Sequence, residues 1–122
     1  MTHTSSSSKA TVSEIARHFG LSNDTTRAIL NAAGTKPVST HPQKYRWTDI
    51  WTLEGAEHVE PGHEEDFRRP LLNVAEVRRR FLPHLEVRAI RARASKGQFP
   101  GIKLGTDWRF RECDARKASI HG

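Results

Sequence analysis

Apolar residues recur at helical spacing in four short stretches of this chain, and the four fall into two similar pairs. Ile15 and Phe19 stand four residues apart on one helix face, and Val77 and Phe81 repeat that spacing 62 residues later. A capping-box spacing precedes each face: Thr11 with Glu14, then Asn73 with Glu76. In that device the Thr or Asn side chain accepts a hydrogen bond from the first-turn backbone while the glutamate reaches back to the cap. Gly20 ends the first helix. Ser22 can cap a second, predicted to run to about Ala33 with Thr26, Ile29, Leu30 and Ala33 inward and Gly34 as its stop signal. Its counterpart is predicted from Leu85 to about Ser95, burying Val87, Ile90 and Ala94 and stopped by Gly97, with Pro83 in the turn before it.

These stretches form a degenerate repeat, TVSEIARHFGLSNDTTRAIL from Thr11 and NVAEVRRRFLPHLEVRAI from Asn73. Dropping one residue in the turn matches Leu21 to Leu82, Thr26 to Val87 and Ile29 to Ile90. Further on, Tyr45-Arg46-Trp47 lines up with Trp108-Arg109-Phe110. In a strand each such triplet puts both aromatics on one face and the arginine on the other. Turn chemistry at Leu104-Gly105-Thr106-Asp107 makes Gly101–Phe110 a small β-hairpin, and His41-Pro42-Gln43-Lys44 takes that part in the first copy. Short helices are predicted at Thr48–Leu53 and Glu112–Ser119. Two copies are too few for a solenoid. The expected fold is therefore mainly α with small β-hairpins, in two tandem modules over 11–53 and 71–122. Between them 54–70 (EGAEHVEPGHEEDFRRP) lacks periodicity and reads as a linker, and 1–10, serine-rich from Thr4, reads as a disordered tail.

Charge sharpens this picture. Of the net +6 over 122 residues, 1–53 carry +3, 54–70 carry −4 and 71–122 carry +7. Two basic modules around an acidic connector suit a polyanion held at two places, duplex DNA first among them, better than charge spread for solubility. The single Cys113 has no partner for a disulfide and no second thiol for a metal site, which fits a reducing cytoplasm. No apolar run is long enough to span a bilayer and no signal peptide precedes Thr11. His58, Glu60, His63 and Glu64 lack a dedicated zinc spacing, so no metal or cofactor is expected. No nucleophile–base pair, phosphate loop or paired carboxylates sit on a predicted frame, so an enzyme is not expected.

Helix, tight turn, helix and a hairpin closing on an aromatic strand resembles the MerR-like winged helix-turn-helix superfamily, its excisionase-like branch above all. The second module carries the resemblance in LNVAEVRRRFL, in EVRAIRARASKGQFPGIKLGTDWRF and in the RECD that opens a last helix. The first carries it in TVSEIARHFGLSNDTTRAIL and YRWTDI, with an altered wing. Two departures stand in the second module: Arg78 occupies the place of the small Ala16, and its turn has no glycine equivalent to Gly20. The resemblance implies two tandem winged helix-turn-helix modules that bind double-stranded DNA. The second helix of each would lie in the major groove, and the wing on the backbone or in the minor groove. The resemblance does not by itself choose a role; the one expected first is a nucleoid-associated recombination directionality factor, partnered by a site-specific integrase and by further copies of itself on DNA. A transcriptional regulator of a mobile element or phage, a terminase small subunit-like packaging adaptor and a module for an acidic protein partner remain alternatives, because one fold serves many functions.

Candidate contacts follow from which residues the inward sets leave outside. On the second helix of module two these are Arg88, Arg91 and Arg93, and arginine suits both guanine edges and phosphates. On that of module one they are Asn23, Thr25, Arg27, Ala28 and Asn31, where asparagine can pair with adenine. The wings offer Lys44 and Arg46 in one copy and Lys103, Thr106 and Arg109 in the other, with Arg109 at the place of Arg46. Arg79 and Arg80 are phosphate contacts or solubility charge, and Arg78 is expected partly buried with its head snorkelling out. Tyr45, Trp47, Trp51, Trp108 and Phe110 are assigned to wing cores in preference to single-strand stacking.

Overall fold

The computed structural model describes residues 8–121 and divides into two compact units between Arg68 and Arg69. Among the described residues the chain is mainly helical, with seven α-helices and two small antiparallel sheets.

The first unit starts with a strand, β1 (Lys9–Thr11), followed by α1 (Val12–Phe19) and α2 (Asn23–Ala32). The capping box predicted for α1 is closed at both ends, with Glu14 N donating to Thr11 Oγ1 at 3.2 Å and Thr11 N to Glu14 Oε1 at 2.8 Å. Gly20 ends α1 in the left-handed region at φ 71°, a conformation that costs a side chain-bearing residue and not glycine. Ser22 caps α2 by accepting from Thr25 N at 3.1 Å. β2 (Ser39–Thr40) and β3 (Gln43–Arg46) then form a hairpin that leads straight into α3 (Trp47–Leu53). β3 lies between β1 and β2, with Ala10 opposite Tyr45. Ala10, Ile15, Phe19, Leu30, Tyr45, Trp47, Ile50 and Trp51 form the buried core, while Ala33, expected inward, is exposed.

Two expectations for the flanks change. Lys9 and Ala10 belong to a paired strand and not to a disordered tail; residues 1–7 of that expected tail lie outside the described residues. The expected linker 54–70 is ordered over most of its length, with a 3-10 turn at Pro61–His63 and a helix α4 (Glu64–Arg68). It is held to the first unit by backbone acceptors. The Trp51 indole donates to Phe67 O at 3.1 Å, and His18 Nδ1 lies 3.3 Å from Arg68 O. At its start, buried Glu54 meets buried His18, with Oε2 2.6 Å from Nε2.

The second unit holds α5 (Val74–Arg80), α6 (Val87–Ser95), the hairpin strands β4 (Ile102–Leu104) and β5 (Asp107–Arg109), and α7 (Glu112–His121). Asn73 closes a capping box with Glu76, as predicted. Leu72 and Phe110 exchange two backbone hydrogen bonds of 2.8 Å, tying the start of the unit to the end of the hairpin. Leu72, Val74, Val77, Leu82, Ile90, Ala94, Phe99, Phe110 and Ala115 pack into its core. Gly101 lets the hairpin approach α6: a Cβ there would stand 3.1 Å from Ala94 Cβ and 3.0 Å from the Trp108 ring. α6 starts at Val87, two residues later than expected, and Arg78 is exposed and not half-buried. Its Nε donates to Leu85 O at 2.7 Å, so the arginine side chain braces a turn that has no glycine.

The backbone also corrects the register of the repeat. Thr11 matches Asn73, and Leu21 matches Leu82, each of the latter pair donating to the residue five before it, Ala16 or Val77. The turn then gains residues in the second unit, so that the N-cap Ser22 corresponds to Glu86. Thr26 therefore matches Ile90 and Leu30 matches Ala94, all buried, in place of the expected Thr26–Val87 and Ile29–Ile90 matches. At the end of the hairpin Tyr45, paired with Ala10, matches Phe110, paired with Leu72. Arg46 accordingly corresponds to Arg111 and Lys44 to Arg109, and the expected match of Arg46 with Arg109 is two residues out. Arg46 is exposed, whereas Arg111 is buried and donates to Asp114 at 3.0 Å.

Thr26 is fully buried and its hydroxyl has no hydrogen-bond partner. A buried unsatisfied hydroxyl costs about 1–3 kcal/mol, and an apolar residue of the same shape removes that cost. Thr26→Val should therefore stabilise the first unit by about 1 kcal/mol. A urea unfolding curve that moves to lower denaturant would count against this account of the site.

Candidate nucleic-acid interface

α6 carries two of its three arginines on one side because its other side is fixed in the core. Ile90 and Ala94 are buried, and Arg88 and Arg91, three residues apart and so close on the helix surface, are exposed. Arg93 is exposed as well, but two residues beyond Arg91 it turns to a different side of the helix.

Arg91 does not stand alone. It forms one wall of a groove of about 340 Å³ whose other walls are the start of α5 (Asn73, Val74, Ala75) and the hairpin residues Thr106, Asp107, Trp108 and Arg109. The expected recognition arginine and two expected wing residues, Thr106 and Arg109, thus share one concavity. Two guanidinium groups, one hydroxyl and the Asp107 carboxylate leave the groove lined with donors and one positive charge in excess. Arg109 is half-buried, and its Nη1 donates to Trp108 O at 2.9 Å, which holds the side chain against its own strand. Lys103 is exposed on β4 with its ammonium 5.0 Å from the centre of the Trp108 ring. Trp108, assigned to the core from sequence, is only partly buried and serves as both core edge and groove wall. Arg79 is exposed on α5 and lines no part of the groove.

In the first unit Asn23, Thr25, Arg27 and Asn31 are all exposed on α2. Asn23 Nδ2 donates to Ser13 Oγ at 3.2 Å, bracing α2 against α1, and Thr25 Oγ1 accepts from Ser22 at 2.9 Å. Arg27 stands where Arg91 stands in the second unit, and lies 3.5 Å from Asp24. Asp24 in turn occupies the position of Arg88, so the exposed face of α2 carries no net charge from this pair. Lys44 is half-buried on β3 and Arg46 is exposed. A depression in this unit, about 500 Å³ between the end of α2 and α3, is lined by Ala33–Lys36, Asp49, Thr52 and Leu53 and includes none of the expected contact residues.

Sequence reasoning missed the contribution of the α5 start and of Asp107 to the groove. The Asn73–Glu76 capping box located that helix terminus, but nothing local in sequence says that it faces the hairpin. Among the described residues no group of three or more His, Cys, Asp or Glu is placed to hold a metal ion, and no helix is long and apolar enough to cross a membrane. Compared with protein-family models, characterised proteins and solved structures, the chain matches none.

Proposed function

We propose that this chain is a non-enzymatic, sequence-specific double-stranded DNA-binding protein whose two units act as MerR-like winged helix-turn-helix modules. Its role in this reading is that of an excisionase-like recombination directionality factor in the cytoplasm, associated with the nucleoid. It would bend an attachment site of a mobile element and recruit or redirect the integrase. The observation that carries the reading is the meeting of Arg91 on α6 with Thr106 and Arg109 on the hairpin over one groove. A helix laid in the major groove with an adjacent hairpin on the backbone requires those two elements to present their donors together. Arg88 and Arg91 would then reach base edges and Arg109 a phosphate. The first unit supports the reading more weakly. Arg27 and Lys44 stand at the positions of Arg91 and Arg109, but Asp24 replaces Arg88 and lowers its grip on phosphate. Bending a site costs about 1–6 kcal/mol, and contacts from two linked units would offset that.

Footprinting on DNA flanking the gene tests both the ligand and the role. Protection over a site with direct repeats is expected, together with affinity that falls by roughly 0.9 log units per log unit of salt for each phosphate neutralised. Protection confined to a promoter would replace the excision role with transcriptional regulation. A flat salt dependence without protection would overturn DNA binding altogether.

A further inference from the structure

Three arginines of the second unit converge on a single carboxylate away from the groove. Arg69, Arg80 and Arg116 place guanidinium nitrogens 3.7, 3.4 and 2.5 Å from Glu112 at the start of α7. The carboxylate is sheltered, with 15% of its side chain exposed, whereas the arginines are 56%, 41% and 53% exposed. Glu112 thus holds the cluster together. Arg80 is further fixed by the Phe81 ring, 5.5 Å from its guanidinium carbon. A preformed fork of arginines around a carboxylate loses little side-chain freedom on taking a second one. The same chain carries the complementary surface on its other unit. The part of the acidic segment that belongs to that unit, 54–68, has six acidic residues against Arg68 alone, a net charge of −5, and Glu57, Glu60 and Glu65 in it are exposed.

We propose that the Arg69–Arg80–Arg116 cluster is an interaction surface for the acidic segment of a second copy of this chain. The two patches lie on different units, so each contact joins unlike surfaces, the acidic segment of one copy to the arginines of another; such contacts close as a reciprocal pair or a ring, or propagate as a row. The inference does not rest on DNA binding, and its test is done without DNA.

The full chain is followed by sedimentation across concentration at low and at high salt. Association that grows with concentration and weakens with salt is expected, because charge pairing at an exposed surface is screened. Arg80→Ala with Arg116→Ala should lower the association constant roughly tenfold, and so should Glu57→Gln with Glu60→Gln and Glu65→Gln. An equal mixture of the two variants should form dimers that grow no further, since one retains only the acidic patch and the other only the basic one. Wild-type chain that stays monomeric at every concentration and salt overturns the proposal, and this includes the case of pairing within one chain. So does arginine-variant chain that associates as wild type while losing DNA affinity, which would make the cluster a phosphate contact.

Discussion

Replacing Arg91 by alanine is expected to weaken DNA binding by about 1–3 kcal/mol, or roughly five- to 150-fold, and to relax base preference at one position of the site. The size follows from placement. Arg91 is exposed on a helix whose core-facing side is held by Ile90 and Ala94, and it lines the groove that the hairpin closes. Arg91→Lys keeps the charge but loses bidentate geometry, and should retain the salt slope while losing the preference. Arg109→Ala should weaken all sequences alike and reduce the salt slope by about one. Arg27→Ala in the first unit should cost less, because Asp24 at 3.5 Å already competes for that guanidinium. Binding isotherms on specific and scrambled duplexes at several salt concentrations separate these outcomes. Unchanged affinity and preference for Arg91→Ala would remove α6 from the interface.

The largest effect on stability is expected at His18 and Glu54. Their side chains are 1% and 0% exposed and meet at 2.6 Å, while the second ring nitrogen faces the Arg68 carbonyl at 3.3 Å. Removing one partner takes from a buried polar or charged group its 2.6 Å contact, which costs about 3–5 kcal/mol. A core of this size supplies about that much in total. Either His18→Ala or Glu54→Ala should therefore unfold the first unit near room temperature. Trp47 and Trp51 report on that unit and Trp108 on the other, so fluorescence of a Trp108→Phe background reads the first unit alone. His18→Leu combined with Glu54→Leu should cost much less than the two single changes added together, since neither side chain is then left without the other. Additive losses would show that packing of the imidazole against Trp47, and not its pairing, is what the site supplies.

The parts of the fold legible from sequence are those whose cause is local. Thr11 with Glu14, Asn73 with Glu76, and Ser22 with Thr25 place three helix starts within three residues of the side chains that make them. The hairpin turn at Gly105 and the helix after it are equally local. β1 was hidden because its only partner, β3, lies far along the chain, and the serine-rich stretch before it reads as tail. The order of 54–68 was hidden for another reason: its anchors are the carbonyls of Phe67 and Arg68, and backbone acceptors leave no mark in a residue pattern. The register error at the hairpin has a plain source. Trp108-Arg109-Phe110-Arg111 contains the aromatic–arginine pair twice, and only the Leu72–Phe110 bridge says which of the two matches Tyr45-Arg46. Of the candidate site, the arginines were legible as outward residues of an amphipathic helix, whereas their meeting with Thr106 and Arg109 depends on how closely the hairpin passes Ala94 at Gly101.

The three extra residues between Leu82 and Glu86 decide whether the two units can exchange parts. A chimera that grafts Val87–Ser95 onto the first unit must be joined so that Glu86 takes the place of Ser22. Ile90 then fills the space of Thr26, Ala94 that of Leu30, and Arg91 emerges where Arg27 does. Joined instead by sequence similarity, with Val87 on Thr26, the same helix would drive the guanidinium of Arg91 into the fully buried position of Leu30. One splice transplants an exposed arginine face, and the other, three residues away, buries a charge in the core of its new host.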